Sequence, residues 1–116
     1  MAGVRVRLPP GEAFETSPGY RYWSPDPELG RFVVIDGADP EDLLANERAH
    51  GSVDLELDTR DPRGRRLRYV STVRGERHLN DVLFVGDVRA GYAVRMDAPE
   101  AVKATFAEIL DGLEAA

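Results

Sequence analysis

The sequence contains no cysteine, which excludes disulfides and thiolate metal sites and leaves the redox compartment undetermined. No stretch approaches the roughly 20 apolar residues that a membrane-spanning helix requires. Positive charge is in deficit: the net charge of −6 and pI near 4.9 argue against nucleic acid or anionic lipid as a main partner. Histidine is scarce. His50 and His78 lie in unrelated segments, and neither belongs to a metal-spaced pair such as H-E-x-x-H. No serine sits in a G-x-S-x-G elbow, and no glycine-rich loop joins a strand to a helix as a phosphate site needs. An enzyme is therefore not expected. No catalytic residue, metal or cofactor is assigned.

What is present is the composition of an ordinary globular protein, 42% hydrophobic and 31% charged over 116 residues, which fits one domain spanning 1–116. The opening residues alternate Val4, Val6 and Leu8 with Arg5 and Arg7, as a half-buried strand does, and Pro9-Pro10-Gly11 ends it. They lack the continuous apolar stretch of a signal peptide, so a cytoplasmic location is expected. A short strand around Phe14, a turn at Ser17-Pro18-Gly19 and a strand at Tyr20-Arg21-Tyr22-Trp23 follow. Phe32-Val33-Val34-Ile35 is apolar on both faces and reads as a central strand covered on both sides. Asp39-Pro40-Glu41-Asp42 is a strong helix start, with a capping Asp, Pro in the first turn and two acids. That helix runs to His50, where Gly51 stops it, and its thin apolar content makes it a surface helix.

Residues 52–74 read as a hairpin around Asp61-Pro62-Arg63-Gly64, with a three-residue loop, a left-handed Gly64 and a bulge. Asp61 opposite Arg65 sets Leu57 opposite Tyr69, Leu55 opposite Ser71 and Thr59 opposite Leu67. The other face is then solvated, with Asp58 opposite Arg68 in an ion pair worth under about 1 kcal/mol. Asp54, Glu56 and Asp58 would line that face about 7 Å apart, too widely spaced for a compact metal cage. The arginines at 60, 63, 65, 66 and 68 face acids, so a nucleic-acid role is disfavoured.

Residues 82–113 organise the rest. Val82-Leu83-Phe84-Val85 is an apolar strand, Gly86-Asp87 a bulge, Arg89-Ala90-Gly91 a turn, and Tyr92 to Met96 the return strand. Asp97-Ala98-Pro99-Glu100 opens a helix whose Val102, Phe106, Ile109, Leu110 and Leu113 form one stripe. The stripe needs a sheet to cover. His50 reads as a helix C-terminal residue, and His78 as part of a basic, turn-like stretch.

The aromatic run is the remaining signal. Tyr20 and Tyr22 share one strand face and Trp23 takes the other; packing in a small domain accounts for them, and so does a binding surface that is dry at one end and wet at the other. The partner-binding residues expected are Tyr20, Tyr22 and Trp23, with contact dominated by apolar burial.

The order of elements resembles the PsbP-like superfamily, closest to its LpqN-type and DcrB-like branches, over about residues 11–113. The likeness rests on the turn-strand opening, the central strand, the first helix, the charged meander, Gly91-Tyr92-Ala93-Val94, Asp97-Ala98-Pro99-Glu100, and the last helix with Phe106 and Ile109-Leu110. Ran-binding Mog-type import factors belong to the same superfamily, but their acidic N-terminal segment is not recognisable here, so no family binding residue carries over. The resemblance implies a layered α/β/α domain with a mainly antiparallel twisted sheet, no cofactor, and work done by binding. The expected class is therefore α+β, with the C-terminal helix packed on the sheet. The expected function is a non-enzymatic protein-binding module, such as an adaptor, assembly factor or chaperone-like domain. Its partner is another protein or an apolar segment of one, without nucleic acid or membrane insertion, and a homo-oligomer is compatible with it. The alternative is a small-molecule or lipid carrier with an internal apolar cavity.

Overall fold

The Asp39 side chain accepts hydrogen bonds from the amides of Glu41 (2.8 Å) and Asp42 (3.2 Å), and with Pro40 it starts helix α1, Pro40–His50. The helix ends at Gly51, whose backbone is extended and whose amide donates to the Glu47 carbonyl at 3.1 Å. In the computed structural model, which describes residues 4–9, 12–17, 20–36 and 39–115, this helix follows four of the described strands and precedes five. At 12–17, 20 and 115 the backbone alone is described. The expected turns at Pro9-Pro10-Gly11 and Ser17-Pro18-Gly19 include residues outside the described ones.

The strands are β1 (Val4–Arg5), β2 (Glu12–Ser17), β3 (Tyr20–Ser24), β4 (Gly30–Asp36), β5 (Ser52–Asp61), β6 (Gly64–Val73), β7 (Glu76–Val85), β8 (Val88–Arg95) and β9 (Glu114–Ala115). Helix α2, Glu100–Asp111, lies between β8 and β9. Seven strands form one sheet in the order β2-β3-β4-β8-β7-β6-β5, and every pairing is antiparallel. Strand β1 pairs with β9. The class is α+β.

Alternation along the strands divides the apolar residues into two clusters. Leu83, Ala90, Tyr92, Val94 and Phe32 pack with Phe106, Ile109 and Leu110 of α2. Their neighbours Leu67, Tyr69, Val82 and Phe84 pack with Leu44 of α1, and Leu43 adds to them. The α2 stripe is buried as its spacing requires, with Phe106 stacked on Tyr92 at 5.5 Å.

Three local expectations are corrected. The β5–β6 loop has two residues, Pro62 and Arg63, because Asp61 pairs with Gly64 and Arg60 with Arg65. Leu57 therefore faces Arg68 rather than Tyr69, and Asp58 rather than Thr59 faces Leu67. Beyond a bulge between Leu55 and Leu57, Leu55 pairs with Tyr69 and Val53 with Ser71, two residues from the expected register. Secondly, Gly86-Asp87 is the β7–β8 turn itself, with Gly86 at φ 60 where a two-residue turn needs glycine, and Arg89-Ala90-Gly91 is strand. Thirdly, β4 is not equally covered on its two sides. Phe32 is buried towards α2, whereas Val33 and Ile35 line an open depression beside α1.

Candidate functional site

Strand β3 carries the three aromatics singled out in the sequence, but it does not present them together. Tyr20 pairs with Ile35, Tyr22 with Val33 and Trp23 with Phe32. Trp23 is only 2% exposed and meets the edge of Phe106 at 5.8 Å, so it belongs to the core under α2 and no partner reaches it without opening the fold. Its indole Nε1 is buried, with no hydrogen-bond partner among the described residues. Tyr22 points to the other side and lines a cleft there. Tyr20 shares Tyr22's parity along the strand, and its side chain lies outside the described residues.

That cleft forms because α1 covers only part of its side of the sheet. Leu43 and Leu44 sit over β6 and β7, leaving the ends of β3, β4 and β8 open. Two adjoining depressions result. One, of about 680 Å³, is lined by Tyr22, Arg31, Glu47, Ser71, His78 and Asn80 among others. The second, of about 210 Å³, shares Arg31, Glu47, Asn80 and Ala93 with it and continues to Val33, Ile35, Leu43 and Arg89. Gly91 and Ala93 bring β8 into the floor with little or no side chain, which is why the surface is concave there.

The polar groups in this trough are partly engaged with one another. The Tyr69 hydroxyl donates to the Glu47 carboxylate at 3.2 Å, and burial together with that neighbouring charge raises the phenol well above its ordinary pKa. Asn80 Nδ2 donates to Ser71 Oγ at 3.0 Å. His78 is in strand β7 rather than in a turn, and its Nε2 lies 3.4 Å from Glu76. Ser71 and His78 are register partners, yet the serine oxygen takes its hydrogen bond from Asn80 and not from the imidazole. No nucleophile and base are aligned by this arrangement. It offers instead a surface with apolar floor, hydroxyl, amide and charged groups, which suits recognition.

The arginine-rich hairpin is structural. Arg66 donates through two nitrogens to both oxygens of Asp81, each at 2.9 Å, and Arg68 adds a contact at 3.1 Å. Asp81 is fully buried, on β7, and was invisible as a partner from the sequence because it lies outside the hairpin. Arg65 clasps Asp58 and reaches Glu41 of α1 at 3.0 Å. Arg63 holds Asp61, whose carboxyl is pulled down to about 2 by that hydrogen-bonded guanidinium. The bulge also separates the three carboxylates of β5: Asp58 shares a face with Leu67, while Asp54 pairs with Val70 on the other. They do not line one face.

Arg31, Glu47, Asn80 and Arg89 are the trough residues that sequence reasoning missed. They lie on four different elements, and only the partial cover by α1 brings them together. A scan against protein-family models finds no match, and a search of the curated proteins finds none either.

Proposed function

We propose that this chain is a non-enzymatic protein-binding module, working as an adaptor, assembly factor or chaperone-like domain, with its partner seated in the trough beside α1. The observation that carries the reading is the uncovered ends of β3, β4 and β8, where Tyr22, Val33 and Ile35 border a depression of about 680 Å³ and its extension. Open clefts of this size with a few convergent polar groups are common recognition sites. The mixture of Arg31, Glu47, Asn80 and Arg89 with apolar side chains favours a peptide segment over a lipid tail. Tyr22 keeps the role expected of the aromatic run, and Trp23 leaves it for the core.

We further propose that the domain is PsbP-like and layered α/β/α. What supports this is the division of the core into a cluster with Leu44 of α1 and another with Phe106 of α2.

Affinity capture with the intact chain, analysed by mass spectrometry, tests the function when it is paired with Ala93→Tyr, which fills the trough floor. The expected result is a protein captured by the native chain and lost with the variant, while circular dichroism shows the variant folded. A co-purified small molecule with no captured protein contradicts the reading.

A further inference from the structure

Resting on that reading, we propose that the trough takes an extended acidic peptide whose two carboxylates are four residues apart, with an apolar side chain midway. The register of the floor carries this. Arg31 stands opposite Ala93, Val33 opposite Gly91, and Ile35 opposite Arg89. Arg31 and Arg89 thus lie four strand positions apart on the same side of the sheet, a separation of about 14 Å at the usual rise of about 3.4 Å per residue. An extended peptide laid along the strands repeats its side chains towards the floor every second residue. Its first and fifth residues reach the two guanidinium groups, and its third reaches Val33, which Leu43 of α1 joins in lining the trough.

Charge supports the acidic occupant. Arg63, Arg65, Arg66, Arg68 and Arg95 each hold a carboxylate of this chain. Arg31 and Arg89 line the trough, and neither has a carboxylate within 4.0 Å among the described residues. Two acids also border the trough. Glu47 receives the Tyr69 hydroxyl, and Glu28 lies in the loop at the far end, away from Arg89. The stretch between Arg31 and Arg89 therefore carries two cations against the single engaged Glu47. A carboxylate pairs with a guanidinium through two parallel hydrogen bonds, which fixes register as well as adding affinity.

The test is a nuclear magnetic resonance titration of the full chain with four blocked pentapeptides. They are Asp-Ser-Leu-Ser-Asp, Asp-Leu-Asp-Ser-Ser, Ser-Ser-Leu-Ser-Ser and Lys-Ser-Leu-Ser-Lys. The first should shift resonances of residues 31–35 and 89–93 and bind about ten-fold more tightly than the neutral peptide, as two partly exposed ion pairs allow. The second, with acids two apart, should lose most of that gain. Added salt should weaken the first peptide and leave the neutral one unchanged. The R31Q/R89Q double variant, folded by its spectrum, should bind all four alike. If the neutral or lysine peptide shifts the same resonances as strongly as the first, the acidic occupant is wrong while the protein-binding reading stands. The same holds if no peptide reaches the trough but capture still depends on Ala93. If neither peptide binding nor capture involves the trough, both fail.

Discussion

The Arg63 guanidinium crosses from the β5–β6 turn to the end of α2 and donates to the Leu110 carbonyl at 2.8 Å and the Leu113 carbonyl at 2.7 Å. The last turn of α2 contains no basic residue of its own; the Leu110 carbonyl accepts from this side chain, 47 residues away, as well as from the Leu113 amide at 3.2 Å. Asp61 holds the same guanidinium in place through both of its oxygens. Arg63→Ala should cost about 2–3 kcal/mol in chemical denaturation, since it removes charge-assisted bonds and frees buried carbonyls. Arg63→Lys should rescue little, because an ammonium cannot fork between Asp61 and two carbonyls. A variant as stable as the native chain would show that the crossing bond does not hold the helix.

The Asp61 carboxyl, drawn down to about 2 from an ordinary 3.8, contributes stability that is fully present above the unfolded value. That contribution is lost as pH falls through the folded value. Asp58, lowered by its hydrogen bond from Arg65, acts in the same direction. Denaturation midpoints should therefore decline between pH 3.8 and about 2, and Asp61→Asn should flatten that decline. An unchanged slope in the variant contradicts the assignment.

Glycine at position 64 is required by close approach. A Cβ there would lie 1.9 Å from the Phe84 carbonyl oxygen, whereas one on Gly75 would meet open space. Gly64→Ala should cost about 2–3 kcal/mol through forced backbone movement. Gly75→Ala, at φ 79 in the β6–β7 turn, should cost about 1 kcal/mol for its left-handed backbone alone. Thermal melts that reverse this order would mean the sheet yields at β7.

Phe106 is fully buried between Tyr92 and Trp23, so Phe106→Ala should destabilise by about 3–5 kcal/mol. Trp23→Ala should behave as a core truncation too, lowering the melting temperature rather than acting as a clean loss of binding. A folded Trp23→Ala protein of native stability that has lost its partner would restore Trp23 to the binding surface.

Helices were the most legible part of the chain, because their signals are local. Asp39-Pro40 and Gly51 mark the ends of α1, and the spacing from Val102 to Leu110 marks the buried side of α2. The hairpins were less so. The alternating acids and bases of 53–68 suggested a solvated face, but Arg66 and Arg68 turn to the buried Asp81 of another strand, and a shorter loop and a bulge each shift the register by one residue. Gly91 looked like a turn residue. It is a strand residue whose missing Cβ lets Asp81 and Val82 approach closely. Period-two alternation already separated Tyr22 from Trp23. Which of the two would be covered depended on where α2 packs, and no local signal carries that.

Hydroxyl-radical footprinting of the chain with its captured partner tests the central claim most directly, since it reads side-chain access rather than backbone exchange. Tyr22, Ile35 and Leu43 should lose reactivity on binding because they line the trough. Leu55, 44% exposed, and Val73, 36% exposed, should react as before because they lie elsewhere on the surface. Protection of Leu55 or Val73 with the trough residues unchanged would contradict the account.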